Sequence, residues 1–188
     1  MTTEQLYIEL KNVDHSREKR LQYALLILNE PELTSNLLDI LFMVDDKLSC
    51  KAAWVLEYTC GKNLQLLIPY LNRFTEHITR IHLDPAVRPV AKICEYLALA
   101  YTDKTDTCLK NALTQTHKDR IIETCFDYLI NDEKVAPKAY SMNTLFLLGK
   151  ETDWVYSELR NILERDFEKE SAAFKARARH ILKKLKKV

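Results

Sequence analysis

The sequence predicts an all-α fold in which paired helices stack as a short solenoid. Three observations carry that reading. Only two glycines and five prolines punctuate 188 residues, too few positive-φ positions for the reversals of a many-stranded sandwich or barrel. Apolar residues recur at three- and four-residue spacing along nearly the whole chain, as amphipathic helices require. A segment also echoes itself: Ala52-Ala53-Trp54-Val55-Leu56-Glu57-Tyr58 aligns with Val90-Ala91-Lys92-Ile93-Cys94-Glu95-Tyr96 at an offset of 38. That offset is close to the ~40–47-residue period of two-helix solenoid repeats, whose pairs bury their apolar faces against one another.

About ten helices are expected in order. The first long one starts behind Ser16, carries Leu21, Leu25 and Leu28, and stops at Asn29-Glu30-Pro31, where proline has no N–H to continue the ladder. The next spans 32–44, and a third spans 47–60 with Gly61 expected to close it in a left-handed conformation. Asn63 is expected to cap a helix reaching Ile81, kinked at Pro69. Asp84-Pro85 reads as N-cap and first helical residue of a helix to Thr102. The stretch 103–115 is polar and rich in β-branched threonine, and reads as a short helix in a long connection. Helices at 117–131, 135–148, 153–167 and 171–185 complete the chain, with Gly149 closing the second of them as Gly61 closes the earlier one.

The composition, 47% hydrophobic and 29% charged, is that of an ordinary globular chain and excludes disorder and collagen. A single domain over 1–188 is expected. The longest apolar runs, Ala24 to Leu28 and Leu145 to Leu148, fall far short of the ~20 residues that cross a bilayer. The N-terminus lacks the basic and apolar stretches of a secretory leader. Cys50, Cys60, Cys94, Cys108 and Cys125 form no Cys-x-x-Cys pair; most sit in apolar helical patterns, so buried, reduced thiols and a cytoplasmic location are expected. With 28 basic and 27 acidic residues, the chain has no global field to draw in nucleic acid or membrane, and any electrostatic function is local.

The run Asp84-Pro85-Ala86-Val87-Arg88-Pro89-Val90-Ala91 resembles the second-helix signature of HEAT repeats, and Leu67-Ile68-Pro69-Tyr70-Leu71 resembles a HEAT first helix. The resemblance implies a HEAT-like α-α superhelix of four to five helix pairs, acting as a protein-protein interaction scaffold through the groove of its second helices. Irregular offsets and scarce glycine in the later repeats point to a short, divergent superhelix. The chain as a whole is also similar to short proteins of Bacteroidetes-type bacteria that bear the name adenylosuccinate lyase, which implies an enzyme of purine metabolism. That lyase family resembles a chain more than twice as long, a tetramer with a serine-rich mobile loop. The serine segment here, Ser141-Met142-Asn143, falls inside an expected helix, so the enzyme reading is the least favoured.

Basic residues recur near the starts of the second helices: Arg17, Lys51, Arg88, Lys138 and Lys175. Stacked side by side, they form a ladder able to meet phosphate or carboxylate groups. Alternatively, each pairs with an acidic neighbour such as Asp46, Asp84, Asp132 or Glu170. Glu57 and Glu95, each preceding a tyrosine at the same repeat position, are the acidic groove candidates. Trp54, Trp154, Tyr58, Tyr96, Tyr101 and Tyr140 are placed on or beside the second helices, where large rings fill gaps between layers. The last 18 residues hold Lys175, Arg177, Arg179, Lys183, Lys184, Lys186 and Lys187 with no acid; the terminal helix dipole accounts for such a cluster, as does an anionic partner. His77, His82 and Asp84 do not converge as zinc ligands should. No nucleophile elbow or phosphate-cradling glycine loop is present. A protein partner is expected, with no catalytic residue, cofactor, metal or membrane. Nucleic acid is the alternative partner, by resemblance to the HEAT-like DNA alkylation-repair proteins, with the basic ladder on phosphates.

Overall fold

Side chains that accept backbone N–H groups set where several helices begin. Ser16 accepts from the Lys19 amide at 3.2 Å, Asp46 from Leu48 at 2.8 Å and Ser171 from Phe174 at 3.2 Å. The computed structural model describes residues 1–187 apart from Lys104 and Asp106. Among the described residues, helices are the only regular elements: α1 (Thr3–Leu10), α2 (Arg17–Asn29), α3 (Leu33–Leu41), α4 (Lys47–Lys62), α5 (Leu71–His77), α6 (Asp84–Thr102), α7 (Thr107–Ala112), α8 (Gln115–Ile130), α9 (Val135–Leu148), α10 (Asp153–Asp166) and α11 (Ala172–Leu185).

The second helices of successive pairs, α2, α4, α6, α9 and α11, each pack against the next. The first helices form the other layer, in which α1 meets α3 and α5 meets α8, while Trp154 of α10 stacks on Phe126 of α8 at 5.6 Å. One apolar core runs between the layers, from Leu6 and Leu10 through Leu37, Leu56, Phe74 and Ile93 to Leu145, Phe174 and Ile181, all fully or nearly fully buried. The chain is therefore the all-α stack of helix pairs that the apolar spacing and the internal echo predict and that the resemblance to HEAT repeats implies. Its two echoed segments lie side by side on α4 and α6.

Local chemistry shifts several expected features. Neither glycine has positive φ. Gly61 lies inside α4, and a Cβ there would stand 3.3 Å from the Tyr96 hydroxyl; at Gly149 a Cβ would stand 2.7 Å from the Tyr156 ring. Gly149 needs a small residue for close approach, Gly61 meets only the far end of the Tyr96 side chain, and neither makes use of left-handed backbone. Asn63 caps as expected, accepting from the Gln65 amide at 3.2 Å. The helix it opens is a 3-10 segment, Leu64–Tyr70, containing Pro69; α5 and a second 3-10 turn, Ile78–Arg80, come after it. The expected single helix thus changes type around the proline, whose missing donor falls in the 3-10 segment. Asp84 is already helical, Leu83 is the N-cap residue, and Asp84 pairs with Lys134 instead of capping. The 32–44 helix ends at Leu41, and α1 adds a helix ahead of those the apolar spacing predicts. Trp154 stands on a first helix, so its ring joins the outer layer and lies away from the second-helix face. The expected short helix in 103–115 is α7; Lys104 and Asp106 of that stretch lie outside the described residues, as does Val188 of the basic terminus.

Candidate functional site

On the face of the second helices, α2, α4, α6 and the start of α9 enclose a cleft of roughly 580 Å³. Trp54, Glu57 and Tyr58 come from successive turns of α4, Arg88 from α6, Arg20 from α2 and Lys134 from the residue before α9. A smaller cleft continues along the same face between Arg17, Tyr58, Lys62 and Tyr96.

Glu57 is the electrostatic centre of this face. Its side chain is buried and accepts from the Arg88 guanidinium at 3.0 Å. Burial pushes its carboxyl above the usual range, while the charges of Arg88, Arg20 and Lys92 pull it back down. One layer on, Glu95 repeats the arrangement: Lys92 donates to it at 2.6 Å and the Asn143 amide of α9 at 2.9 Å. Burial lowers the Lys92 pKa, and its bond to Glu95 more than reverses this, so the ammonium is retained above its usual range.

The tyrosine rings carry cations on their faces. Arg20 lies over Tyr58 with its guanidinium carbon 5.0 Å from the ring centre, and Lys92 sits between Tyr96 at 5.0 Å and Tyr140 at 4.5 Å. The Trp54 indole donates to the Pro85 carbonyl at 2.8 Å, which fixes its orientation across α4 and α6.

The five basic residues near the second-helix starts do not form one open row. Arg17 is exposed and lines the smaller cleft. Lys51 donates to the Lys11 carbonyl at 2.7 Å, closing the end of α1. Arg88 is joined to Glu57. Lys138, buried, is joined to Glu170 at 2.6 Å. Lys175 lies 3.6 Å from Glu168 and over the Phe167 ring. The structure therefore brings Arg17, Arg88 and Glu57 to one groove, with Glu95 on its continuation, and places Lys51, Lys138 and Lys175 on in-chain partners. Sequence reasoning missed Arg20, Lys62 and Lys92. Lys92 follows Arg88 by four residues and Arg20 follows Arg17 by three, so extending the ladder by one helical turn would have found both.

Elsewhere, His77 donates from Nδ1 to the Arg73 carbonyl at 2.9 Å and stacks on Phe42, while His82 faces Asp45 at 3.4 Å. Among the described residues no three metal-binding side chains converge. Ser141 is buried within α9. Cys50, Cys60, Cys94 and Cys125 are buried free thiols, Cys60 pushed up to about 12 by burial, and Cys108 is exposed. No described helix is long and apolar enough to cross a membrane.

The family model of the HEAT repeat domain matches residues 8–185. No curated protein and no solved structure matches the chain.

Proposed function

The chain belongs to the HEAT repeat domain family, and from that membership we propose that it is a cytoplasmic binding scaffold that holds a protein partner along the groove of its second helices. Stacked helix pairs generate extended surfaces of this kind by geometry, without dedicated loops. The single observation that carries the reading is the cleft spanning α2, α4, α6 and α9. Its aromatics come from α4, Arg20 enters from α2, and its ion pairs join α4 to α6 and α6 to the start of α9, so a ligand there touches several repeats at once.

The test is affinity purification from the native host with the tagged protein, an Arg20→Ala/Tyr58→Ala variant and a Glu123→Lys control on the exposed side of α8. A protein recovered reproducibly with the native chain and the control, and lost with the groove variant, is the expected result. Recovery of no reproducible partner, or a partner indifferent to the groove variant, overturns the proposal.

A further inference from the structure

Tyrosines stand on three consecutive second helices, Tyr58 on α4, Tyr96 on α6 and Tyr140 on α9. Lys92 between Tyr96 and Tyr140, and the cleft shared by Tyr58 and Tyr96, place the three side by side along one groove. Among the described residues none of the three hydroxyls has a hydrogen-bond partner within the chain, although each ring is only half-buried. Their faces are occupied by Arg20 and Lys92, so the phenols present edges and O–H donors to whatever lies in the groove.

Charge along the same path is unbalanced. Glu57, Glu95 and Asp84 are matched by Arg88, Lys92 and Lys134. Arg17, Arg20 and Lys62 line the same clefts and have no ion-pair partner among the described residues. A chain whose formal charge is only +1 thus concentrates around Tyr58 three cations without an ion pair among the described residues, beside a Glu57 already bonded to Arg88.

We propose, building on the scaffold reading above, that this groove takes an extended acidic segment of a protein partner, its carboxylates set against Arg17, Arg20 and Lys62 and its backbone carbonyls against the tyrosine hydroxyls. Packed helices lie about 8–10 Å apart, and a polyproline II chain repeats its facing side every ~9 Å, three residues at 3.1 Å each. One helix of the stack therefore matches one turn of such a peptide, and acidic residues recurring every third position keep the register. A nucleic acid fits the groove less well. Base stacking needs open aromatic faces, and here cations lie over the tyrosines. A continuous run of phosphates also meets the fixed carboxylates of Glu57, Asp84 and Glu95.

The probe is a fluorescent peptide of four Glu-Pro-Pro repeats, read by anisotropy against the same peptide with Gln or Lys in place of Glu, and against single-stranded oligo-dT of similar charge. The Glu peptide is expected to bind at least about tenfold tighter than the Gln peptide at low salt and to weaken as salt is added, as surface charge pairing does. Arg17→Glu/Lys62→Glu, at positions with no internal ion pair to lose, is expected to reduce that binding about tenfold at unchanged melting temperature. Tyr58→Phe/Tyr96→Phe/Tyr140→Phe removes only the hydroxyls and is expected to weaken it several-fold. Lys183→Glu on α11 leaves it unchanged. Equal binding of Glu and Gln peptides, tighter binding of oligo-dT at the same cleft, or loss of peptide binding only with the α11 variant overturns the proposal. A host partner that depends on the groove but is not displaced by the Glu peptide overturns this inference and leaves the scaffold reading standing.

Discussion

Between α4 and α6, Arg88 reaches Glu57; within α6, Lys92 closes on Glu95; and between α9 and the start of α11, Lys138 reaches Glu170. Along α11 and its end, by contrast, seven cations share the single ion pair of Lys175 with Glu168 among the described residues. The two regions use the same residue types on the same kind of helix. They differ in how deeply the charges are buried. Inside the stack, burial makes an unpaired charge costly, and a carboxylate from the adjacent layer, the same helix or the connection before the next helix meets it. On α11 most of the cations are exposed, and lysines near the helix C-terminus are favoured by the partial negative charge of its carbonyls.

The largest test of this contrast is Lys138→Ala. Removing the cation leaves Glu170 partly buried without its partner, and the loss is expected at about 2 kcal/mol, or roughly 4–8 °C in melting temperature for a chain of this size. Thermal unfolding of Lys138→Ala beside Lys183→Ala measures it. Equal melting temperatures would show that Lys138 is as solvated as the α11 lysines, and the comparison would fail.

The glycines come next in size and show how much of the molecule is legible from sequence. Helix period and the shortage of turn residues are enough for the fold class, because both are properties of the whole chain. Gly61 and Gly149 are legible as special positions, but the reason is not: a glycine's need for positive φ and its need for space look identical in sequence. Pro69 is similar. Its lost donor can be met by a kink or by a change to 3-10 geometry, and a single sequence does not distinguish the two. In the groove, Glu57, Glu95 and Arg88 are legible through the α4–α6 echo, whereas the roles of Arg20 and Lys92 depend on which rings lie beneath them. For the glycines the expected signs differ. Gly149→Ala drives a Cβ into the Tyr156 ring and Val155 and is expected to cost about 1–2 kcal/mol. Gly61→Ala meets only the Tyr96 hydroxyl end and is expected to be neutral or to gain up to about 0.5 kcal/mol from helix propensity. Chemical denaturation of both variants decides it, and a loss at Gly61 equal to that at Gly149 would refute the space argument.

His117 extends the contrast to a group that is buried neutral. Its Nδ1 accepts the Thr114 amide at 3.2 Å while Thr114 accepts the His117 amide, a reciprocal cap on α8. Burial, with Arg120 nearby, lowers its pKa below the usual value. Because the folded pKa is depressed, the folded chain binds fewer protons than the unfolded one. The stabilisation is then complete above about pH 6.5 and is lost as the pH falls through that range. His117→Gln keeps the capping geometry with a side chain that does not titrate. It is expected to match the native melting temperature near pH 7.5 and to exceed it near pH 5.5. An identical pH dependence in the two proteins would remove His117 from the account.

The smallest effects are expected at the two open ends of the stack. Lys183 on α11 is exposed and has no ion-pair partner among the described residues, and Leu25 on the outer side of α2 is 47% exposed. Both side chains are exposed in this structure, so chemistry that would be costly inside is tolerated. Lys183→Ala and Leu25→Gln are each expected to change stability by less than about 0.5 kcal/mol, with Leu25→Gln improving solubility by interrupting the Leu21–Leu25 stripe. A destabilisation of about 1 kcal/mol or more at Leu25 would mean that α2 is covered in the folded protein. The stack would then have a layer, or a second chain, beyond its first helix pair, and α2 would behave as an interior element like α4.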